Sequence, residues 1–264
     1  MTAAVASPSL PAQVGLIAGR SVRRIVRQPA QLVFPIAFPL SLLAVNASGL
    51  DAATKLPGFP SASYLDFALA IPFMQGALFA ALNGGQDLAR DIESGFLDRL
   101  SLTPMSGAAL LAGQLGGALF MGVVSAVIYL AVGLAFGVGI AAGAAGALVL
   151  LALAITISFA FACFGTFVAL RAGTGEAVQG FFPLFFVLLF LSSAFFPRDL
   201  IEQDWFRTVA TYNPVSYMVE GVRSLVIAGW DAPALLQAFG LSAVAIVGFL
   251  ALSSRALRTR LQRT

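Results

Sequence analysis

Long apolar runs separated by short polar stretches set the rhythm of this chain. A helix needs about 20 mainly apolar residues to cross the hydrocarbon core of a bilayer. Six stretches meet that length, at roughly 31–49, 63–84, 108–136, 147–170, 177–196 and 233–253. The first carries Pro35 and Pro39, which bend or break a helix. The third and fourth are rich in Gly and Ala, the composition that lets helix backbones approach closely in lipid. The fifth, AVQGFFPLFFVLLFLSSAFF, is the most apolar. The pattern predicts an all-α membrane protein with six transmembrane helices. Residues 1–30 form a leader and an amphipathic helix, 31–253 the membrane domain and 254–264 a basic tail.

Composition agrees. The chain is 59% hydrophobic and 10% charged, with a mean hydropathy of +0.93, against about 25% charged residues in an ordinary soluble domain. Disorder requires the opposite balance. With no histidine, a Ser-His-Asp triad and a histidine proton relay are excluded. The single cysteine, Cys163, allows no intrachain disulfide. No GxxxxGK[ST] string occurs, so the chain carries no phosphate-binding loop of that kind. No cofactor is expected in the chain itself, and no nucleic-acid partner.

The basic residues orient the spans. If the N-terminus is cytosolic, six spans place eleven of the 15 basic residues inside and leave Lys55, Arg198, Arg207 and Arg223 outside, as the positive-inside rule requires. Residues 1–12 contain no basic residue and read as a cytosolic leader rather than a signal peptide. Between 13 and 28, Val14, Ile17, Val22 and Ile25 alternate with Arg20, Arg23, Arg24 and Arg27 at helical spacing. This reads as an interfacial helix with its arginines on lipid phosphates. The spans hold no acidic or basic residue away from their ends, where ion-coupled carriers usually place one. Any uphill transport would draw its energy from outside the membrane domain.

Two polar segments carry further information. The loop at 86–115 contains a short charged helix, with Arg90, Asp91, Glu93, Asp98 and Arg99 among Leu88, Ile92, Phe96, Leu97 and Leu100; Gly95 interrupts it and Pro104 ends it. Apolar residues on such a helix point to a docking surface in the cytosol. The segment 195–233 is too long for a turn and too apolar for a free loop. In it, Trp205, Phe206, Val209 and Tyr212 line one face of a short helix. Asn213-Pro214 starts another, on which Tyr217, Glu220 and Arg223 recur at i, i+3, a spacing that allows Glu220 and Arg223 to pair.

Both segments resemble one family. ARDIESGFLDRLSLTPMS resembles the cytosolic signature of ABC-2-type exporter permeases, and LSSAFFPRDLIEQDWFRTVATYNPVSYMVEGVRSLVIAG their C-terminal signature. Arg90-Asp91 stands where the family usually has Arg-Glu, and Ser192-Ser193 where Ser-Gly is common. Among these permeases the chain looks most like the daunorubicin-resistance type of drug exporter. The resemblance implies a plasma-membrane half-transporter, not itself an enzyme, that pairs with a second permease and with two cytosolic ATPase subunits that bind ATP and Mg. It makes 86–100, with Arg90, Asp91, Glu93, Gly95, Phe96, Asp98, Leu100 and Pro104, the coupling helix. It makes 195–226, with Pro197, Trp205, Asn213, Pro214, Tyr217, Glu220 and Arg223, a re-entrant hairpin at the outer gate.

The expected cargo is an amphiphilic drug-like or lipid molecule exported through a cavity lined by Gln75 and Asn83 of the second span and by Phe181, Phe182, Phe185 and Phe186 of the fifth. A permease for lipid-linked polysaccharide is the nearest alternative, although 23 Phe against 2 Trp and 4 Tyr favour apolar cargo over sugar. A membrane-embedded lipid-modifying enzyme and a non-transporting scaffold are the remaining readings.

Overall fold

The computed structural model describes residues 9–101 and 106–261, and among these every regular element is helical. The helices are α1 (Leu10–Arg27), α2 (Ala30–Gly49), α3 (Tyr64–Ala68), α4 (Ala70–Glu93), α5 (Phe96–Ser101) and α6 (Gly107–Ala135). They continue with α7 (Gly143–Ala172), α8 (Gly175–Gly180), α9 (Phe182–Phe190), α10 (Asp204–Tyr212), α11 (Pro214–Ile227) and α12 (Ala232–Leu261). Among the described residues, α2, α3–α4, α6, α7 and α12 are long and apolar enough to cross a membrane, 5 candidates in all.

The fifth predicted span, 177–196, is not one helix. It breaks at Phe181 into α8 and α9 and ends in a turn after Phe190. Gly180 weakens the helix there, and Pro183 supplies no N–H. Even laid end to end, Gly175–Phe190 reaches only about 24 Å, short of a core about 30 Å thick. The path still joins the two ends of the bundle. Gly175 N–H meets Glu93 at the end of α4, while Ser193 N–H meets Ser216 on α11.

The opposite happens in α2, which stays a single helix through both prolines. Pro39 cannot donate to the carbonyl of Pro35, and the Tyr129 hydroxyl of α6 donates there instead, at 2.7 Å. A buried partner replaces the bond the sequence removes.

The remaining boundaries shift at the arginine-rich end. The second predicted span stops at 84, whereas α4 runs on to Glu93 before Ser94 and Gly95 end it. Likewise α12 continues to Leu261 through the arginines expected in a separate tail. Its Arg260 reaches the Leu170 carbonyl, so the C-terminal turns of α12 and α7 lie at the same end as α1. Within the bundle α4 is central and almost wholly buried, with α6, α7, α2 and α11 around it. Helix contacts are close. A Cβ on Gly165 of α7 would lie 2.3 Å from the Ala81 carbonyl oxygen of α4.

Candidate functional site

Two polar constructions stand out, one at each end of the bundle. At the arginine end, α1 does not lie free on a leaflet. It runs along the first half of α6, with Ile17 against Gly113, Ala18 against Gly116 and Ser21 against Gly117, each closer than a Cβ on the glycine would permit. Two of its four arginines turn inward. Arg20 donates to both carboxylate oxygens of Asp91, at 3.0 Å from Nη1 to Oδ2. Arg24 bridges Asp91 at 3.3 Å and Asp87 at 3.1 Å. Gln114 of α6 donates to Asp91 at 2.8 Å. Burial opposes the Arg24 charge, but Asp87 and Asp91 outweigh it and hold the guanidinium above its ordinary range. Arg23 and Arg27 remain exposed, so the lipid-facing role expected of all four arginines is left to these two.

The predicted docking helix divides accordingly. Asp91 is buried in this junction, and Ile92 and Leu97 pack into the chain's own core, so none of them offers a docking surface. Phe96 is half-buried beneath Arg20, whose guanidinium lies 4.0 Å from the ring centre. Glu93 and Arg90 are exposed. Arg90 bonds back to Asp87, and Glu93 accepts the Gly175 N–H at 3.0 Å. Gly95 has φ +64°, a left-handed conformation that favours glycine, and it turns the chain from α4 into α5. Asp98 and Leu100 lie on α5, but their side chains, like all of Pro104, fall outside the described residues.

At the opposite end, side chains from α3 and α11 hold the turn that follows α9. The break leaves backbone carbonyls without helical partners, and such groups must be satisfied inside the protein. Asn213 donates to the Leu188 carbonyl at 2.6 Å, and its side-chain oxygen caps α11 at Val215 N–H. Tyr64 donates to Phe195 at 2.9 Å. Arg223 serves three carbonyls, those of Phe67 at 3.1 Å, Ser193 at 3.0 Å and Ala194 at 2.8 Å. Its guanidinium also lies 3.6 Å from the Phe67 ring centre.

Arg223 therefore does not pair with Glu220, although their i, i+3 spacing allows it. Glu220 takes a two-pronged bond from Arg198, at 2.7 Å from Nε. Burial disfavours the Arg198 charge, yet the bond to Glu220 holds this guanidinium above its ordinary range. Arg198 also sits over Tyr217, 4.7 Å from its ring centre. Pro197 begins this turn, and Pro214 occupies the first position of α11. On α10, Trp205 is 61% and Tyr212 83% exposed. Both side chains suit a membrane–water boundary.

The predicted cavity residues separate into two sets. Phe182 and Phe186 join a ladder of rings with Phe34 and Phe38 of α2 and Phe79 of α4. Phe79 stands 5.6 Å from Phe34 and from Phe182, and Phe38 stands 6.4 Å from Phe186. Phe181 and Phe185 pack on Phe164 of α7, at 5.7 and 4.9 Å. Gln75, one helical turn before Phe79, is buried with its Oε1 unpartnered, and the Asn83 Nδ2 is likewise buried without a partner.

Arg20, Arg24, Asp87, Gln114, Tyr64 and Arg198 belong to these sites, but the sequence pattern assigns Arg20 and Arg24 to lipid phosphates and Arg198 to the outer surface, and it marks none of the other three. For the first three a signal existed: Arg20/Arg24 and Asp87/Asp91 repeat at the same i, i+4 spacing, so one pair can face the other. Tyr64 and Arg198 had no such signal.

No curated protein matches the chain. The family model of ABC-2 type transporters matches residues 12–227, from α1 through both polar constructions to the end of α11, and the chain belongs to the ABC-2 type transporter family as the membrane permease component of an ABC transporter.

Proposed function

We propose that the chain is half of an exporter that moves an amphiphilic drug-like or lipid molecule out across the plasma membrane. Two permeases, identical or closely related, would stand over two copies of a cytosolic ATPase that binds ATP and Mg. The observation that carries the cargo class is the ring ladder of Phe34, Phe38, Phe79, Phe182 and Phe186, with the unpartnered Gln75 Oε1 acceptor one turn from Phe79. Such a face offers ring packing to a flat apolar body and one hydrogen bond to its polar group. The test is substrate-stimulated ATP hydrolysis by the reconstituted complex. Phe79→Ala should weaken half-maximal stimulation by an aromatic amphiphile about tenfold, since one ring contact with its buried area is worth roughly 1.5 kcal/mol. Gln75→Leu should weaken polar congeners more than apolar ones. Unchanged stimulation in both variants refutes the cavity.

The coupling role passes in this reading from the whole of 86–100 to the elbow at Gly95, flanked by the exposed Glu93 of α4 and Arg99 of α5. The chain crosses the bilayer six times, with 175–196 as a broken crossing and both termini cytosolic. The shared end of Arg20, Glu93 and Arg260 supports this arrangement. In a Cys163→Ser background, Lys55→Cys and Arg207→Cys should label with an impermeant thiol reagent in intact cells, and Arg258→Cys should not. Labelling at 258 from outside refutes the topology.

A further inference from the structure

A groove of about 420 Å³ opens on the flank of the bundle between α6 and α12, with Phe159 of α7 among its lining residues. Ala108, Ala112 and Gly116 form its α6 wall, and Leu250 and Ser254 stand on α12. Apart from the Ser254 hydroxyl, the lining side chains are apolar. From Ala108 to Leu119 the groove follows α6 for about 17 Å, close to half of a ~30 Å hydrocarbon core, the depth of one leaflet. It shares no residue with the ring ladder.

Its arginine end is charged. Arg258 extends the Leu250–Ser254 row by one more i, i+4 step, and Arg255 directly follows Ser254. Both are exposed, and neither has an ion-pair partner among the described residues. By contrast, Arg20 and Arg24 at the same end of the bundle are committed to Asp91 and Asp87. An apolar trough one leaflet deep, whose α12 wall continues by helical spacing to two exposed arginines, matches one kind of molecule. We propose that the groove binds an anionic phospholipid from the leaflet at the arginine end, with one acyl chain along α6 and the headgroup phosphate at Arg255 and Arg258. A zwitterionic lipid lacks the net charge that two cations select, and an aromatic cargo has its own face on α2, α4 and α9.

The test uses the full chain purified in mild detergent, resupplied with phosphatidylglycerol or phosphatidylcholine, with retained lipid counted by native mass spectrometry. Phosphatidylglycerol should be retained in preference. Replacing Arg255 and Arg258 by glutamine should reduce that preference by roughly fivefold per arginine, the factor that corresponds to about 1 kcal/mol for each basic residue near an anionic surface. Ala112→Phe should reduce retention of both lipids by filling the trough; Ala112 is exposed, so the core is untouched. Equal retention of the two lipids by the native chain, or full retention by Ala112→Phe, overturns the proposal. So does displacement of the lipid by an aromatic export substrate or by association with a second copy, either of which gives the groove to another occupant.

Discussion

Arg223→Met should lower the stability of the permease by roughly 2–3 kcal/mol, because buried carbonyls left without a donor cost about 1–3 kcal/mol each. The expected loss lies at or below the bottom of that sum, about 3 kcal/mol for three carbonyls, since removing a buried cation also relieves its desolvation. Methionine retains much of the apolar volume, so the loss reports on the carbonyls of Phe67, Ser193 and Ala194 rather than on a cavity. Arg223→Lys should restore little of it. One ammonium cannot reproduce the planar fork that serves three acceptors from three directions. Thermal unfolding in detergent reads the effect, and Glu220→Gln is the comparison. The Arg198–Glu220 pair is partly exposed, and exposed pairs contribute about 0–1 kcal/mol. An unfolding temperature for Arg223→Met equal to that of Glu220→Gln would refute the clamp. A stable Arg223→Met protein that assembles with its ATPase yet fails to transport would assign Arg223 to gating instead.

This clamp also shows where sequence reasoning stops. The i, i+3 spacing of Glu220 and Arg223 places both on one stretch of helix surface, and that much is correct. It cannot say that Arg198, 22 residues earlier, folds back to take the carboxylate. Nor can it say that a broken helix will leave carbonyls for Arg223 to collect. The breaks themselves were half legible. Gly180 and Pro183 mark the failure of the fifth span, yet the same kind of mark in α2, Pro35 and Pro39, leaves an unbroken helix because Tyr129 supplies the missing donor. Propensity proposes a break, and the tertiary neighbour decides it.

Hydrophobic length located the apolar cores of the long helices well, because crossing lipid imposes a length that no packing detail changes. It failed past the arginine end. Helix α4 keeps its core-facing residues beyond the predicted boundary and α5 continues them, so Ile92 of α4 and Leu97 of α5, whose apolar side chains suit a docking face, pack instead against α6 and α7. The charged residues around them misled in the same direction, since Asp91 is polar by type and buried by position.

The strongest consequence at that end concerns Asp91 itself. Among the described residues it is the one carboxylate that touches both α1, through Arg20 and Arg24, and α6, through Gln114, so it fixes α1 to the start of the bundle. Asp91→Asn retains the shape and removes the charge, leaving Arg24 with Asp87 and Arg20 without a carboxylate. Removing one partner of a fully buried pair costs about 3–5 kcal/mol; here Arg20 and Arg24 retain 34% and 24% side-chain exposure, and about 2 kcal/mol is the expected loss after solvent screening. The close Gly113, Gly116 and Gly117 contacts remain, so α1 should loosen rather than unfold the bundle. Limited tryptic digestion separates these outcomes, because Arg20, Arg23, Arg24 and Arg27 all lie on α1. Cleavage within α1 should accelerate roughly thirtyfold if it follows local opening, the factor that corresponds to about 2 kcal/mol, with cleavage elsewhere unchanged. Asp91→Glu, which restores the charge, should recover most of the protection. Native-like protection of α1 in Asp91→Asn would mean that the glycine contacts alone hold the helix and that the carboxylate is not its anchor.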